Sequence, residues 1–288
     1  MPDLSELERK TAALRAQLSR LAPVVVAFSG GVDSGVLAYV AHDVTGDDML
    51  AVTARSESYP MRELEFARAF CAKHGIPHAE IDSGELDVDG FADNPPDRCY
   101  LCKRELFGRL RALADARGYR TLLDGSNADD LGDSRPGMRA ARQAGVVSPL
   151  LELDFTKDDI RALARQLGLT VLAEKPSFAC LASRFPTGQR ITADALAAIE
   201  AAEDYLHDLG LRQLRVRVHA TEGVTTSAAV GTGDGGAGML ARIETDAAGM
   251  DLLSDPATRT AAAEKLHALG FRWVALDLTG YRTGSMNL

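Results

Sequence analysis

The sequence predicts an α/β protein, a doubly wound parallel sheet followed by a smaller C-terminal α+β domain. Three observations carry this. β-Branched runs alternate with amphipathic helical segments through the first part of the chain, as in a sheet wound with helices on both faces. The first run, VVVAF at 24–28, ends in a Ser29-Gly30-Gly31 turn that leads into a helical pattern. The alternation then breaks near Glu174-Lys175-Pro176.

The elements follow in order. Leu4, Leu7, Leu14 and Leu18 fall on one face of an opening helix that Pro23 ends. VVVAF reads as a buried parallel strand. A helix is expected from Val32 to Val44, a strand over MLAVTA at 49–54, a helix from Met61 to His74 and a short strand at 79–82. Cys102 to Arg117 reads as a helix, TLLDG at 121–125 as a strand and Gly137 to Ala144 as a helix. VVSPLLEL at 146–153 is strand-like, and Thr156 to Leu167 is a helix opened by a Thr-Lys-Asp-Asp cap. Beyond the break come a long helix from Thr192 to Leu209 and a strand at 212–220. A Gly/Thr-rich stretch at 221–238 reads as a flexible insertion. MLARIET at 239–245, whose strand is free to pair with the one before the insertion, a helix near 257–268 and a strand at 273–278 complete the chain. The expected domains are 1–175 and 188–288, and no internal repeat is present.

Composition narrows the classes. The 288 residues are 46% hydrophobic and 25% charged, which excludes a disordered or fibrous chain. With 32 Lys+Arg against 41 Asp+Glu the formal net charge is −9. An acidic balance argues against nucleic-acid binding, because phosphate contacts need clustered cations. No apolar run reaches the roughly 18 residues of a membrane span, and the charged N-terminal segment has no apolar core of the signal-peptide type. The expectation is a cytoplasmic protein without a membrane partner. Its four cysteines are Cys71, Cys99, Cys102 and Cys180, expected to be reduced, metal-bound or catalytic rather than disulfide-bonded.

The segment Ser29-Gly30-Gly31-Val32-Asp33-Ser34 carries the first chemistry. Its glycines let backbone N–H groups crowd around an anion. The hydroxyls of Ser29 and Ser34 add donors, and the helix N-terminus adds a favourable dipole. This is a pyrophosphate cradle, but not a Walker A loop, which needs GxxxxGK[ST].

A second signal is Cys99-Tyr100-Leu101-Cys102, followed by Lys103. A CxxC places two thiols on one turn, suited to zinc, an iron–sulfur cluster or redox exchange. It needs a further ligand, and Cys180 is the natural candidate. Nearby Arg and Lys residues favour thiolate there, whereas Cys71 fits an apolar helix face with Leu64 and Ala67. Arg215 and Arg217 alternate on one strand and share a face; with Arg184 and Arg242 they form a candidate phosphate clamp, against the plainer reading of a solvated strand face. Gly231-x-Gly233-x-x-Gly236 formally matches a dinucleotide fingerprint, but no strong strand precedes it. The six histidines show no metal-ligand spacing and read as surface or packing residues.

SGGVDS resembles the signature of the PP-loop ATP pyrophosphatase superfamily. The combination of RCYLCK, KPSFACLASRFP, VRVH, LARIE and LDLTGYRTGSMN is similar to the LarE-type ATP-dependent sulfurtransferases over nearly the whole chain, 221–238 excepted. The resemblance implies ATP binding by Ala27, Phe28, Ser29, Gly30, Gly31, Val32, Asp33 and Ser34. It places adenine against Val52, Thr53 and Ala54, and has Gly125, Asn127 and Asp129 close the site. Asp33 and Asp129 are then the expected Mg2+ ligands. The implied substrate is a small pyridinium mononucleotide with two carboxylates, one of which is adenylylated and converted to a thiocarboxylate for a nickel-pincer nucleotide cofactor. Cys180, Asp33, Lys103 and Arg184 are the implied catalytic residues, and Arg215, Arg217, Arg242, Glu203 and Glu244 surround the substrate phosphate. Sulfur arrives either through a [4Fe-4S] cluster on Cys99, Cys102 and Cys180, with a separate sulfide donor, or by sacrifice of the Cys180 sulfur. The CxxC favours the cluster. A homo-oligomer is a further expectation. The rivals are a tRNA thiolase, which lacks the basic face it needs here, and a non-catalytic ATP-binding regulator, which has no use for the three cysteines.

Overall fold

The computed structural model describes residues 4–132, 136–221 and 238–282. The chain divides into two compact units, one of residues 1–85 and 97–178, the other of residues 86–96 and 179–288. The expected Gly/Thr-rich insertion and the Gly231–Gly236 match fall almost wholly outside the described residues.

The first unit contains, in order, α1 (Leu4–Leu21), β1 (Val24–Ala27), α2 (Val32–Thr45), β2 (Met49–Arg55), α3 (Met61–His74), β3 (His78–Asp82), α4 (Arg98–Arg117), β4 (Thr121–Leu123), α5 (Pro136–Gln143), α6 (Pro149–Glu152), α7 (Lys157–Gln166) and α8 (Thr170–Ala173). Its strands form one sheet in the order β3-β2-β1-β4, every pairing parallel. Alternation along each strand feeds two cores. Val24 and Val26 of β1, Met49 and Ala51 of β2, and Leu123 of β4 pack with residues of α1, α2, α3 and α7. Val25, Leu50, Val52 and Leu122 pack with α4 and α5 on the other face. A sheet covered on both faces selects continuous apolar strands, and these runs are that. The strand order reverses between β1 and β4. Ligands of such sheets bind outside the carboxyl ends of the strands at that reversal.

Two expectations for this unit need correction. Residues 146–153 do not form a strand: Val147 makes a single parallel bridge to Leu123, and Pro149 opens α6. A proline carries no N–H for a ladder but suits the first turn of a helix. The helix expected from Cys102 begins at Arg98, so both CxxC cysteines lie within its first five residues. The cap expected for α7 is present. Thr156 Oγ1 accepts from Asp159 N–H at 3.2 Å, and Thr156 N–H donates to Asp159 Oδ2 at 3.1 Å. Asp159 also takes Lys10 Nζ of α1 at 2.9 Å. Thr156→Ala is expected to cost about 1 kcal/mol in urea unfolding, with Thr156→Ser near wild type; an unchanged midpoint for Thr156→Ala would show that the cap contributes nothing.

The second unit contains α9 (Ala193–Asp208), β5 (Leu214–Ala220), β6 (Met239–Thr245), α10 (Ala247–Ser254), α11 (Pro256–Ala268) and β7 (Phe271–Leu276). β6 pairs antiparallel with β5 and parallel with β7. Helix α10 has no sequence expectation behind it. It starts where Asp246 Oδ1 accepts from Gly249 N–H at 2.9 Å, an N-cap hidden among small residues. Residues 86–96 are tied to the chain near 188: Asn94 Nδ2 donates to Pro186 O at 2.6 Å, Gly188 N–H to Asn94 O at 2.8 Å and Ile191 N–H to Ala92 O at 2.8 Å. Among the described residues no helix is long and apolar enough to cross a membrane.

Candidate active site

The cradle of Ser29–Ser34 sits where β1 gives way to α2. Phe28 N–H still bonds Val52 O at 2.9 Å, so the sheet holds the loop's first edge. Ser29 N–H donates to Ser34 Oγ at 3.2 Å, and the two hydroxyls lie 3.1 Å apart. Gly30 has φ +68°, a conformation that a side chain strains. Gly125, just past β4, closes on the same loop: a Cβ there would stand 2.7 Å from Ser34 N and 3.0 Å from Ser34 Cα. The sequence-predicted partners Ser29–Ser34 and Gly125 are therefore together. Thr53 is buried, with its hydroxyl donating to Phe28 O at 2.9 Å and bonded to His78 Nε2 at 2.9 Å. That hydroxyl braces β1 against β2 and is not offered to a ligand.

Asp33 and Asp129 are bridged by Lys157, a residue the sequence reading missed. Lys157 Nζ bonds Asp33 Oδ2, and Lys157 N–H donates to Asp129 Oδ2 at 2.7 Å. Asn127 Oδ1 accepts from Asp129 N–H at 3.0 Å, and Asn127 N–H donates to Asp130 Oδ2 at 3.0 Å, so the Gly125–Asp130 turn is bonded within itself. The other oxygen of Asp33, Oδ1, is buried with no hydrogen-bond partner among the described residues. Burial pushes the Asp33 carboxyl upward, with the Lys157 charge opposing it. A buried, orphaned carboxylate oxygen beside the phosphate cradle suits a hard divalent cation, so these residues fit Mg2+.

The CxxC thiols are accessible. Cys99 is exposed and Cys102 is half-buried. Cys102 Sγ–H donates to Glu85 Oε1 at 3.1 Å, while Ser58 and Ser56 hydroxyls bond Glu85 Oε2. Lys103 Nζ lies 5.5 Å from the Phe107 ring centroid. Cys71 is buried, and burial pushes its thiol up to about 12, as befits a packing residue. Cys180 belongs to the second unit and precedes a single 3-10 turn, Leu181–Arg184. Among the described residues no three His, Cys, Asp or Glu side chains gather to hold a metal ion. By donor chemistry, thiols that are not fully buried suit an iron–sulfur cluster.

The arginines are not solvated. Arg184, Arg215 and Arg217 are all buried. Arg184 makes two bonds to Glu203, Nε at 2.8 Å and Nη2 at 2.7 Å, and its Nη1 donates to Ala179 O and Cys180 O at 2.6 and 3.1 Å. Glu203 also accepts Val216 N–H at 2.8 Å. Arg217 Nε donates to Glu244 Oε2 at 2.9 Å, and Arg242 Nη1 lies 3.1 Å from Glu244 Oε1 and bonds Asp277. Hydrogen bonds from Thr279, with help from Arg242, hold the Asp277 carboxyl down at about 2. The register sets Arg215 opposite Glu244 and Arg217 opposite Arg242. Burial, reinforced by Arg184, lowers the Arg215 pKa. His219 extends this face of β5, and its Nε2 accepts from Arg242 Nε at 3.1 Å. Burial and Arg242 lower its pKa, so it stays a neutral imidazole. His219 and Asp277 were missed, although the VRVH alternation places His219 on the arginine face.

Comparison with known proteins gives the family. Residues 8–132, from α1 through the Asp129 turn, match the family described as asparagine synthase. The chain is 38% identical to an uncharacterized protein of Synechocystis over 281 residues, 98% of each chain. It is 38% identical to the pyridinium-3,5-bisthiocarboxylic acid mononucleotide synthase of Lactiplantibacillus plantarum over 288 residues, 99% of this chain and 96% of that one. A tRNA-specific 2-thiouridylase of Azorhizobium caulinodans is 32% identical over 213 residues, 61% of this chain and 52% of that one. With the SGGVDS cradle at the strand-order reversal and full-length likeness to the Lactiplantibacillus enzyme, the chain belongs to the LarE-type enzyme family of the PP-loop ATP pyrophosphatase superfamily.

Proposed function

We propose that the protein adenylylates a carboxylate of pyridinium-3,5-biscarboxylic acid mononucleotide with ATP and converts it to a thiocarboxylate. One observation carries this reading: the likeness to the Lactiplantibacillus synthase covers 99% of the chain, so it takes in cradle, thiols and arginines at once. The thiouridylase likeness covers 61%.

The chemistry follows from the residues. A carboxylate is a poor electrophile, and transfer of AMP to its oxygen makes that oxygen a leaving group. The substrate oxygen attacks the α-phosphorus, and the bond to pyrophosphate breaks. Loop N–H groups and the α2 dipole take up the charge that builds on pyrophosphate. Mg2+, held by Asp33 and Asp129, would add positive charge at the phosphates. Lys157 supplies an ammonium at Asp33 and a backbone N–H at Asp129. Arg215, Arg217 and Arg242 hold the substrate phosphate, with Glu244 fixing the guanidinium planes. Glu203 positions Arg184, which holds the Cys180 backbone. Lys103 steadies the substrate carboxylate or AMP phosphate. A sulfur nucleophile, the Cys180 thiolate or a hydrosulfide, then attacks the acyl carbon and displaces AMP.

Cys99, Cys102 and Cys180 would hold a [4Fe-4S] cluster, which when bound supplies transferable sulfide from a sulfide donor. A second reading is favoured by Arg184, a buried cation whose guanidinium bonds Cys180 O at 3.1 Å. It makes Cys180 the sacrificial donor. Its sulfur forms a thioester with loss of AMP, and loss of the Cα proton then breaks Cβ–Sγ, leaving dehydroalanine and the thiocarboxylate. We place the enzyme in the cytoplasm as a homo-oligomer.

Pyrophosphate release that requires the pyridinium substrate is the expected result; release that requires tRNA, or none, would sink the proposal. Anaerobically prepared protein is expected to carry about four irons and four labile sulfides, and Cys99→Ala to lose them. Sulfur transfer by Cys99→Ala over many turnovers would exclude the cluster. Cys180 lighter by one hydrogen sulfide after a single turnover would establish the sacrificial route.

A further inference from the structure

We infer that Lys175 is a positioning residue for pyrophosphate, setting a peptide plane of the anion-binding loop from behind, with Tyr59 doing the same one plane earlier. The inference rests on the reading of Ser29–Ser34 as the pyrophosphate cradle. In a trans peptide the C=O of one residue and the N–H of the next lie in one plane and point in opposite directions. Holding the carbonyl therefore aims the N–H. Tyr59 Oη–H donates to Ser29 O at 3.0 Å, which turns the Gly30 N–H away from Tyr59. Lys175 Nζ–H donates to Gly30 O at 3.0 Å, which turns the Gly31 N–H away from Lys175.

Both holders are themselves fixed. Lys175 Nζ bonds Glu63 Oε2 at 2.6 Å and lies 3.4 Å from the Phe66 ring centroid. Burial lowers its pKa while Glu63 opposes that. Burial, with the Glu63 charge, raises the Tyr59 pKa, so the phenol remains a donor. Helix α3 also closes the remaining space: a Cβ on Gly30 would stand 3.1 Å from Glu63 O. The loop has no lysine of its own. A cation on the Gly30 carbonyl polarises that amide and strengthens its N–H toward an anion.

Titration calorimetry on the full chain with magnesium pyrophosphate and with adenosine tests this, using wild type, Lys175→Met and Glu63→Gln. Lys175→Met is expected to weaken pyrophosphate by about tenfold, the worth of one charge-assisted hydrogen bond, and to change adenosine by less than about twofold. Glu63→Gln keeps the cation on Gly30 O but loosens its hold, and is expected to weaken pyrophosphate by less than Lys175→Met, again with adenosine changed by less than about twofold. Wild-type pyrophosphate affinity in Lys175→Met would overturn the inference. So would equal losses for both ligands in both variants, the mark of an ion pair that only supports the fold. Wild type that binds no pyrophosphate would bring down the cradle reading, and this inference with it. Should Lys175→Met fail to fold, Tyr59→Phe gives the same readout: selective loss of pyrophosphate supports the inference, and unchanged affinity overturns it.

Discussion

Glu203→Ala is expected to destabilise the protein by about 3–5 kcal/mol, because it leaves a buried guanidinium without its counter-ion. Arg184 is 2% exposed and Glu203 6%. Their two bonds, with the Val216 N–H, satisfy a carboxylate that water does not reach. Replacing both residues by apolar ones of similar volume is expected to recover most of the loss, since burying the pair cost desolvation in the first place. The pH dependence has a definite sign. Burial alone would raise the Glu203 pKa, but Arg184 and the Val216 N–H outweigh it and hold it below the ordinary glutamate value. A depressed pKa gives stability that is full above the unfolded value, about 4.3, and is lost as pH falls through the folded value. Wild type is therefore expected to lose stability on acidification below about pH 4.3 more steeply than Glu203→Ala. Urea unfolding across pH 3–7 checks both statements, and a loss under about 1 kcal/mol at pH 7 would show the pair to be dispensable.

Gly125→Ala is the second large effect, on activity. The added methyl carbon would stand 2.7 Å from Ser34 N and 3.2 Å from the Asp33 carbonyl carbon, both backbone atoms of the cradle. Backbone cannot rotate away as a side chain end would, so the cradle or β4 must move by several tenths of an ångström. Misplacement on the order of 1 Å costs about a hundredfold. Pyrophosphate release in Gly125→Ala is expected to fall by about that factor in kcat/KM, with α-helical circular dichroism unchanged. Gly108, on the exposed face of α4, has open space at its Cβ. Gly108→Ala should leave activity intact and raise stability by about 0.5–1 kcal/mol. Equal activities for the two variants would remove the claim that Gly125 shapes the cradle.

How much was legible in the sequence depends on the range of the signal. Period-2 and period-3.6 patterns are local, and they placed the parallel strands and most helices. They failed where a single residue outweighs the pattern, as at Pro149. They failed again where a helix opens on residues without an apolar stripe, as at Arg98 and Ala247. The cradle was legible because its chemistry is contiguous. Lys157 was not, although it stands inside the Thr-Lys-Asp-Asp cap that was read. A cap pattern explains the residues around it and says nothing of a long side chain reaching Asp33. The arginines show the same limit. Alternation on β5 implied a shared face, but their burial follows from Glu203 and Glu244, which the resemblance marked only as near the substrate.

The segment 86–96 has a consequence for how the polypeptide is made. It leaves the ribosome well before Pro186, Gly188 and Ile191, the residues that receive it. At ordinary translation speeds the wait is roughly 5–20 seconds. During that interval Phe91, which ends up 1% exposed, has no native neighbour from the later stretch to cover it. Until residues 179 onward are made, the nascent chain thus carries a greasy side chain without its own unit to bury it, the kind of transient surface that holding chaperones exist to shield.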